Sequence, residues 1–366
     1  MNKDFFITLS KKNFLKNIEN IIKKTGKSVA PVIKSNAYGH GIKEIIKILL
    51  ELPVIERVCV AYITEAQEAK KYGWKKQIIV MSPTTELQYN NQYEYFLYSF
   101  DFLDQMIKKY KKNKYKIHIK IDVGLNRLGF REYEIDLLLS LLSDHKEKIE
   151  VIGICTHLPR VNYDFTDEIK NQMKLFIDIV NKVKNFFPQI LVHPFSSKAI
   201  PFIKKFESYC DFLRLGGSIY GLLNSEQKTK LDFELKQIIT IKAKIISIKS
   251  VKKDSYVGYG IKGMTTEDTN LAVTSFGYGY GLIANFSECY GYYNKMLFPV
   301  IGLVAMNNIT FNLQNSNNSP VVGDYMTLTS IEHPAISAGN ISYHFAGGRE
   351  YYFTAFLHPN IKRYIF

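Results

Sequence analysis

At 366 residues the chain is too long for one ordinary core and points to about two domains, while 46% hydrophobic and 14% aromatic content excludes a globally disordered chain. The net charge of +14 comes from lysines spread over most predicted helices with acids between several of them, as at 108–114, 146–148 and 170–184; this describes a solvated surface rather than a nucleic-acid strip and leaves steering of an anionic substrate open. No apolar run reaches the roughly 18 residues that span a bilayer, Met1–Ser10 lacks a secretory-signal pattern, and Cys59, Cys155, Cys210 and Cys289 are scattered without zinc-type spacing or a disulfide framework. The composition thus predicts a cytoplasmic protein with reduced, mostly buried thiols, no metal, no membrane contact and no nucleic-acid partner.

In chain order, Phe5–Leu9 is a candidate terminal strand, and Phe14, Leu15, Ile18, Ile21 and Ile22 recur at helical spacing over 11–25. The β-branched run Ser28–Ile33 ends on Lys34, and a short polar turn with two glycines leads to a helical pattern from Ile42. Strands are predicted at 28–34, 57–62, 77–82, 95–99, 115–122, 150–156, 189–193 and 211–214. Helices are predicted at 42–51, 64–72, 101–111, 132–145, 166–186 and 197–208, with weaker cover after the third strand. Eight short apolar strands alternating with helices fit a (β/α)8 barrel over 10–231, since a doubly wound sheet usually has fewer strands. From 232 the texture changes to alternating and short aromatic or β-branched runs broken by Gly, Asn, Ser and Asp. A mostly β domain over 232–366, joined by strand 1–9, is expected, with an Asn/Ser-rich loop at 312–319.

Lys34 would sit at the carboxyl end of a buried strand, where desolvation lowers an amine's pKa and suits Schiff-base chemistry; on spacing alone a lysine snorkelling from a strand end is an equal alternative. The wording of Ile33–Gly41, I-K-S-N-A-Y-G-H-G, resembles the V-K-A-N-A-Y-G-H-G motif by which alanine racemases hold pyridoxal phosphate. Further motifs follow in that family's order. Lys120–Phe130 resembles K-x-D-T-G-M-x-R-L-G, which implies that Arg127 binds the substrate carboxylate and that Lys120 is carbamylated and buttresses it. For Lys120 an ordinary inward or surface lysine is an equal alternative. Thr156-His157-Leu158 matches T-H-F/L, and His193–Ser197 resembles H-x-A-N-S, with Ser197 as a phosphate ligand and Ser196 in place of the asparagine. Arg214–Gly221 resembles R-P-G-x-x-L-Y-G. It implies backbone amides of Gly216 and Gly217 at the phosphate, helped by the hydroxyls of Tyr38 and Tyr343, and Arg214 against the pyridine nitrogen. Because arginine keeps its proton, it would leave that nitrogen unprotonated, which favours racemisation over decarboxylation or transamination.

In the β region, Val257-Gly258-Tyr259-Gly260 resembles the V-S/G-Y-G motif whose tyrosine enters the neighbouring subunit's site. Tyr278 matches an entrance tyrosine, with Tyr280 where an aspartate is usual, and Met306 matches a substrate-carboxylate contact from the partner subunit, followed by Asn307 in place of an acid. Ile341-Ser342-Tyr343 matches I-S-Y, while Gly347-Gly348-Arg349 lacks the family's proline. The resemblance implies a pyridoxal phosphate-dependent isomerase of alanine, a homodimer with shared sites. Lys34 and Tyr259 would serve as the two bases, and the product would be D-alanine for peptidoglycan. A racemase of another small amino acid such as serine shares these cofactor residues, and a non-catalytic pyridoxal phosphate-binding protein is the alternative of a different class.

Overall fold

The computed structural model describes residues 4–366 apart from 85, 160, 162, 163, 260–262, 283, 315, 317 and 346–349. The expected Gly260 and Gly347–Arg349 therefore lie outside the described residues. The first strand, β1 (Phe5–Leu9), is followed by the helix Lys11–Thr25, whose Ser10 side chain caps Asn13 and whose left-handed Gly26 ends it.

Eight parallel strands then make a ring: β2 (Ser28–Pro31), β3 (Arg57–Val60), β4 (Gln77–Val80), β5 (Tyr93–Leu97), β6 (Tyr115–Lys120), β7 (Ile149–Cys155), β8 (Leu191–Val192) and β9 (Phe212–Leu215). Strands β3 to β8 form one six-stranded sheet in sequence order, and β2 pairs with β9. The two parts join through a Val32–Cys59 bridge on one side and, on the other, through amides of Asp211 and Arg214 donating to the carbonyls of Val192 (2.7 Å) and Phe195 (3.2 Å). Alternation along the strands sorts the core. Val29, Val58, Val60, Ile78 and Val80 face the helices, while Ala30, Cys59, Ile79, Cys155 and Phe212 form a separate cluster facing the opposite way, into the ring. All four cysteines are buried and free.

Helices Ile42–Leu49, Ile63–Lys71, Phe100–Lys109, Ile135–Asp144 and Asp167–Lys184 cover the ring. Two expectations change. The segment predicted as a helix over 197–208 is a 3₁₀ run, Ser197–Tyr209, with Pro201 removing one of the donors that a regular α-helix needs. Strand β2, expected over 28–34, ends at Pro31, short of Lys34, and Ser35, Asn36, Ala37 and Tyr38 beyond it all take left-handed conformations with φ between 52° and 55°. Four consecutive non-glycine residues in that region need outside support. Glu65 accepts from the Ser35 amide (2.6 Å), Asn36 accepts from the Ile42 amide (3.0 Å), and Arg363 near the chain end donates to the Gly39 carbonyl (2.9 and 3.0 Å).

The remaining strands are β10 (Ile239–Val251), β11 (Thr269–Thr274), β12 (Tyr290–Tyr293), β13 (Met296–Pro299), β14 (Ile309–Asn312), β15 (Tyr325–Thr329) and β16 (Arg363–Ile365). They assemble with β1 in the order β13-β12-β15-β10-β1-β16, and β11 bridges β10 to β14. Strand β1 lies between β10 and β16, with Ile7 opposite both Ile241 and Arg363, so the two ends of the chain are tied together. Among the described residues no helix is long and apolar enough to cross a membrane.

Candidate active site

The carboxyl ends of the barrel strands open into a cavity of about 440 Å³. Lys34, Tyr38, Lys120, Arg127, His157, Ser196, Ser197, Arg214, Gly216 and Gly217 line it, so most of the expected residues meet at one place although they come from five parts of the chain.

Lys34 follows β2 at the head of the left-handed turn. Burial, and then the charge of Arg127, lower its pKa below the ordinary lysine value. Across the cavity, Lys120 ends β6; burial chiefly brings it down to about 7. The loop after β6 is organised by Asp122, whose carboxylate accepts from the amides of Gly124 (2.8 Å), Asn126 (3.1 Å) and Arg127 (3.0 Å). Gly129 lets this loop return, since a Cβ there would lie 2.8 Å from the Lys120 carbonyl oxygen. Arg127 is thereby held at the cavity wall. His157, after β7, is brought down to about 3 by burial and then by the neighbouring charge of Lys120, so it is a neutral imidazole at physiological pH.

One end of the cavity is a hydroxyl-rich cradle. Ser197 and Ser218 share a hydrogen bond between their hydroxyls (2.9 Å), and the Ser218 amide donates to Ser197 Oγ (3.3 Å). The Tyr38 hydroxyl presses against Gly216, where a Cβ would stand 2.2 Å from it. Only glycine leaves that space. Tyr38 rests on Tyr220 at a centroid separation of 5.4 Å, and Tyr220 donates to the Val32 carbonyl (2.9 Å). Arg214, also lining the cavity, spends its Nη hydrogens on the protein: Nη1 on the His193 carbonyl and Nδ1, and Nη2 on the Thr156 carbonyl (2.6 Å) and Pro194 carbonyl (3.5 Å). This leaves Nε–H as the guanidinium donor without a partner among the described residues. A fixed cation, a serine, tyrosine and glycine cradle and an amine with a lowered pKa around one cavity fit a flat phosphorylated aldehyde such as pyridoxal phosphate.

Tyr343 takes a different place. It is 37% exposed on the helix Ala338–Phe345 and does not line the cavity. Its neighbours Ile341 and Ser342 turn inward, and Ser342 Oγ accepts from the Phe353 amide (3.0 Å), so the helical period sends the next side chain outward. The tyrosine at the cradle is Tyr351, which lines the cavity and packs edge-on against Tyr38 at 5.3 Å. A three-letter match drew the reading to Tyr343; the aromatic pair Tyr351-Tyr352 eight residues on was the available signal. Lys198 and the buried Glu350, an ion pair at 3.0 Å, also line this end and carried no sequence signal.

Tyr259, Tyr278 and Met306 are not at this cavity. They are 72%, 50% and 56% exposed. Loop packing brings them together elsewhere: the amides of Tyr278 and Gly279 donate to the carbonyls of Ala305 (3.2 Å) and Met306 (2.9 Å). A Cβ at Gly263 would lie 2.5 Å from Gly302, so the Tyr259 loop rides on the Met306 loop. Tyr280, in the aspartate position, packs on Phe5 and Phe276. Among the described residues no group of His, Cys, Asp and Glu could hold a metal ion.

Comparison with known proteins gives a consistent result. The alanine racemase N-terminal domain matches residues 9–224 and the alanine racemase C-terminal domain matches 238–364. Alanine racemase of Listeria monocytogenes is 27% identical over 98% of this chain and 96% of its own length, and that of Aquifex aeolicus 28% over 89% and 91%. An alanine racemase of Clostridium perfringens is 31% identical over 74% of this chain and 70% of its own. Among solved structures, alanine racemase from Bacillus anthracis with bound L-Ala-P superposes with a TM-score of 0.89 at 23% identity, covering 100% of this chain and 96% of that one. The enzyme from Bartonella henselae with covalently bound pyridoxal phosphate does so with a TM-score of 0.84 at 20% identity, covering 99% of each chain.

Proposed function

Since the chain belongs to the alanine racemase family, we propose that the cavity at the top of its barrel is where L- and D-alanine are interconverted and that pyridoxal phosphate is the cofactor held there. The protein is an isomerase of the alanine racemase type; neither serine as the substrate nor a purely cofactor-binding role finds support in its relatives. The observation that carries the site is the meeting of Lys34, Arg127, Arg214 and the Tyr38–Gly216–Ser197 cradle around one cavity.

Bound there, the cofactor supplies an electron sink that makes the Cα–H of an attached amino acid acidic. Everything else falls to the protein. Lys34 would tether the cofactor and, once released, remove or return a proton at Cα from one face, for which its lowered pKa suits it. Arg127 would hold the substrate carboxylate. Tyr38, Ser197, Gly216 and Gly217 would hold the phosphate, and we assign Tyr351 to the place the sequence suggested for Tyr343. Arg214 would present Nε–H to the ring nitrogen, and His157 would stand as a neutral neighbour. For Lys120, burial leaves much of the amine uncharged at neutral pH, the form that reacts with CO₂. A carbamate signal from carbon-13 bicarbonate, absent in Lys120→Ala, is expected; its absence in the unchanged protein would discard that assignment.

Racemisation needs a second base on the opposite face. We therefore assign Tyr259 and Met306, with Tyr278 at the entrance, to the neighbouring site of a homodimer. Their exposure, on loops that pack against one another, supports that reading. We place the barrel unit at 10–231 and the β unit at 232–366 with strand 1–9, the protein in the cytoplasm and its D-alanine in peptidoglycan supply. The test is purified protein with pyridoxal phosphate and L-alanine in D₂O. Deuterium at Cα together with D-alanine is expected. Exchange without inversion would remove the second base, and no exchange would overturn the assignment.

A further inference from the structure

From Arg214 inward, five polar side chains, its own included, form an unbroken file across the barrel interior. Arg214 Nη1 meets His193 Nδ1 at 2.6 Å, His193 Nε2 meets His118 Nδ1 at 2.9 Å, His118 Nε2 meets Glu94 Oε2 at 3.0 Å, and Arg57 Nε closes on the same oxygen at 3.1 Å. Glu94, His118, His193 and Arg214 are all buried. Aromatic faces wall the file: His193 stacks on Phe212 at 4.3 Å, and the Arg214 guanidinium lies over Phe96 at 5.7 Å. Gly153 makes room for it, because a Cβ there would stand 2.4 Å from His118 Nδ1.

The proton positions follow from donor and acceptor chemistry alone. A guanidinium has no acceptor, so His193 Nδ1 must accept and His193 must carry its proton on Nε2. That proton obliges His118 Nδ1 to accept, which puts the His118 proton on Nε2, pointing at Glu94. The Glu94 carboxylate terminates the file by accepting from both His118 and Arg57. Burial of Glu94 opposes its ionisation, but the hydrogen bonds from His118 and Arg57 and the charge of Arg57 prevail and hold it below the ordinary carboxylate range. Burial and then the charge of Arg214 push His193 well below the ordinary histidine value, in keeping with a neutral ring.

We infer that Glu94 is a positioning residue for the isomerase reaction: it acts through His118 and His193 to lock Arg214 in one orientation, with Nε–H left for the cavity. The inference rests on the proposed role of Arg214 toward the cofactor ring nitrogen. It adds an acid at the far end of the file that sets every tautomer between. Losing the acceptor lets His118 turn its proton toward His193, which turns its own toward Arg214; two donors then face each other and the guanidinium is displaced.

The test begins with the unaltered protein, labelled with nitrogen-15 histidine and free of added cofactor, with signals assigned by single-histidine variants. His118 and His193 are each expected to carry their proton on Nε2 with Nδ1 unprotonated. A cationic or Nδ1–H His193 would overturn the inference without any variant having to fold. Next, Glu94→Leu is expected to change the His193 tautomer. It should also lower kcat by about 10–100-fold with KM for alanine within about twofold, with Glu94→Asp regaining most of the rate. Unchanged histidine signals and kcat in Glu94→Leu would equally overturn it. Failure of the unaltered protein to bind pyridoxal phosphate, with both tautomers in place, would instead overturn the functional reading on which the role of Arg214 rests.

Discussion

The cavity at the top of the barrel and the loop face of the β domain carry the two halves of one proposed reaction, yet they are built in opposite ways. The cavity is assembled within the chain: Lys34, Arg214 and the cradle are held by strand ends, a propped left-handed turn and glycines placed where a Cβ would collide. The loop face holds Tyr259, Tyr278 and Met306 out in the open. A buried site needs its geometry complete in one subunit, because desolvated lysines and arginines without fixed partners are costly. An exposed tyrosine costs little until a second copy covers it, so that half of the chemistry can be left to assembly.

The comparison breaks most sharply at Lys34. Lys34→Ala should lower turnover by more than about 10⁴-fold and abolish cofactor retention on gel filtration, whatever the state of the β domain. Tyr259→Phe should separate the halves: kcat falls roughly 10²–10³-fold in both directions while pyridoxal phosphate affinity stays within about twofold. Equal wild-type rates for both enantiomers would return the second base to the barrel. Gly216→Val tests the cradle alone, with an expected loss of roughly 10-fold or more in pyridoxal phosphate affinity by fluorescence titration, since its Cβ would meet the Tyr38 hydroxyl.

A smaller effect reads the support of the left-handed turn. Fully buried His40 stacks on Tyr220 at 4.5 Å and is brought from 6.5 down to about 3, chiefly by burial. Its folded value lies below the unfolded one, so the unfolded chain binds the extra proton, and the stability it contributes above pH 6.5 is lost as pH falls toward 3. The loss should run at about 1.4 kcal/mol per pH unit within that window and be missing in His40→Gln, as urea unfolding between pH 6.5 and 4.5 would measure. Least of all, Lys108→Ala removes an exposed pair with Asp104 at 2.6 Å and should shift unfolding by under about 0.5 kcal/mol.

Lys34 and Arg127 could be placed from the chain because each lies in a short consecutive run whose wording resembles a known motif, and in the second run Asp122 collects the amides of the Arg127 loop. Such local devices leave local wording. Tyr351 could not be separated from Tyr343 that way, since which of them faces the cradle depends on the phase of a helix packed by Ile341 and Ser342. Nor could Glu94 be told from any charged residue in a strand. Its meaning comes from His118 and His193, one and three strands further round the barrel, joining it in one file inside a closed ring.

Sequence by itself determined the alternation of strands and helices, the change of texture near 232 and the residues at the strand ends, because side-chain periodicity and turn chemistry act over a few neighbours. Tertiary structure alone decided the left-handed turn after β2, the inward side of each strand, the buried file behind Arg214 and the distance of Tyr259 from the cavity. Each of these depends on groups far apart in the chain competing for one desolvated space, and that competition is settled only when the ring closes.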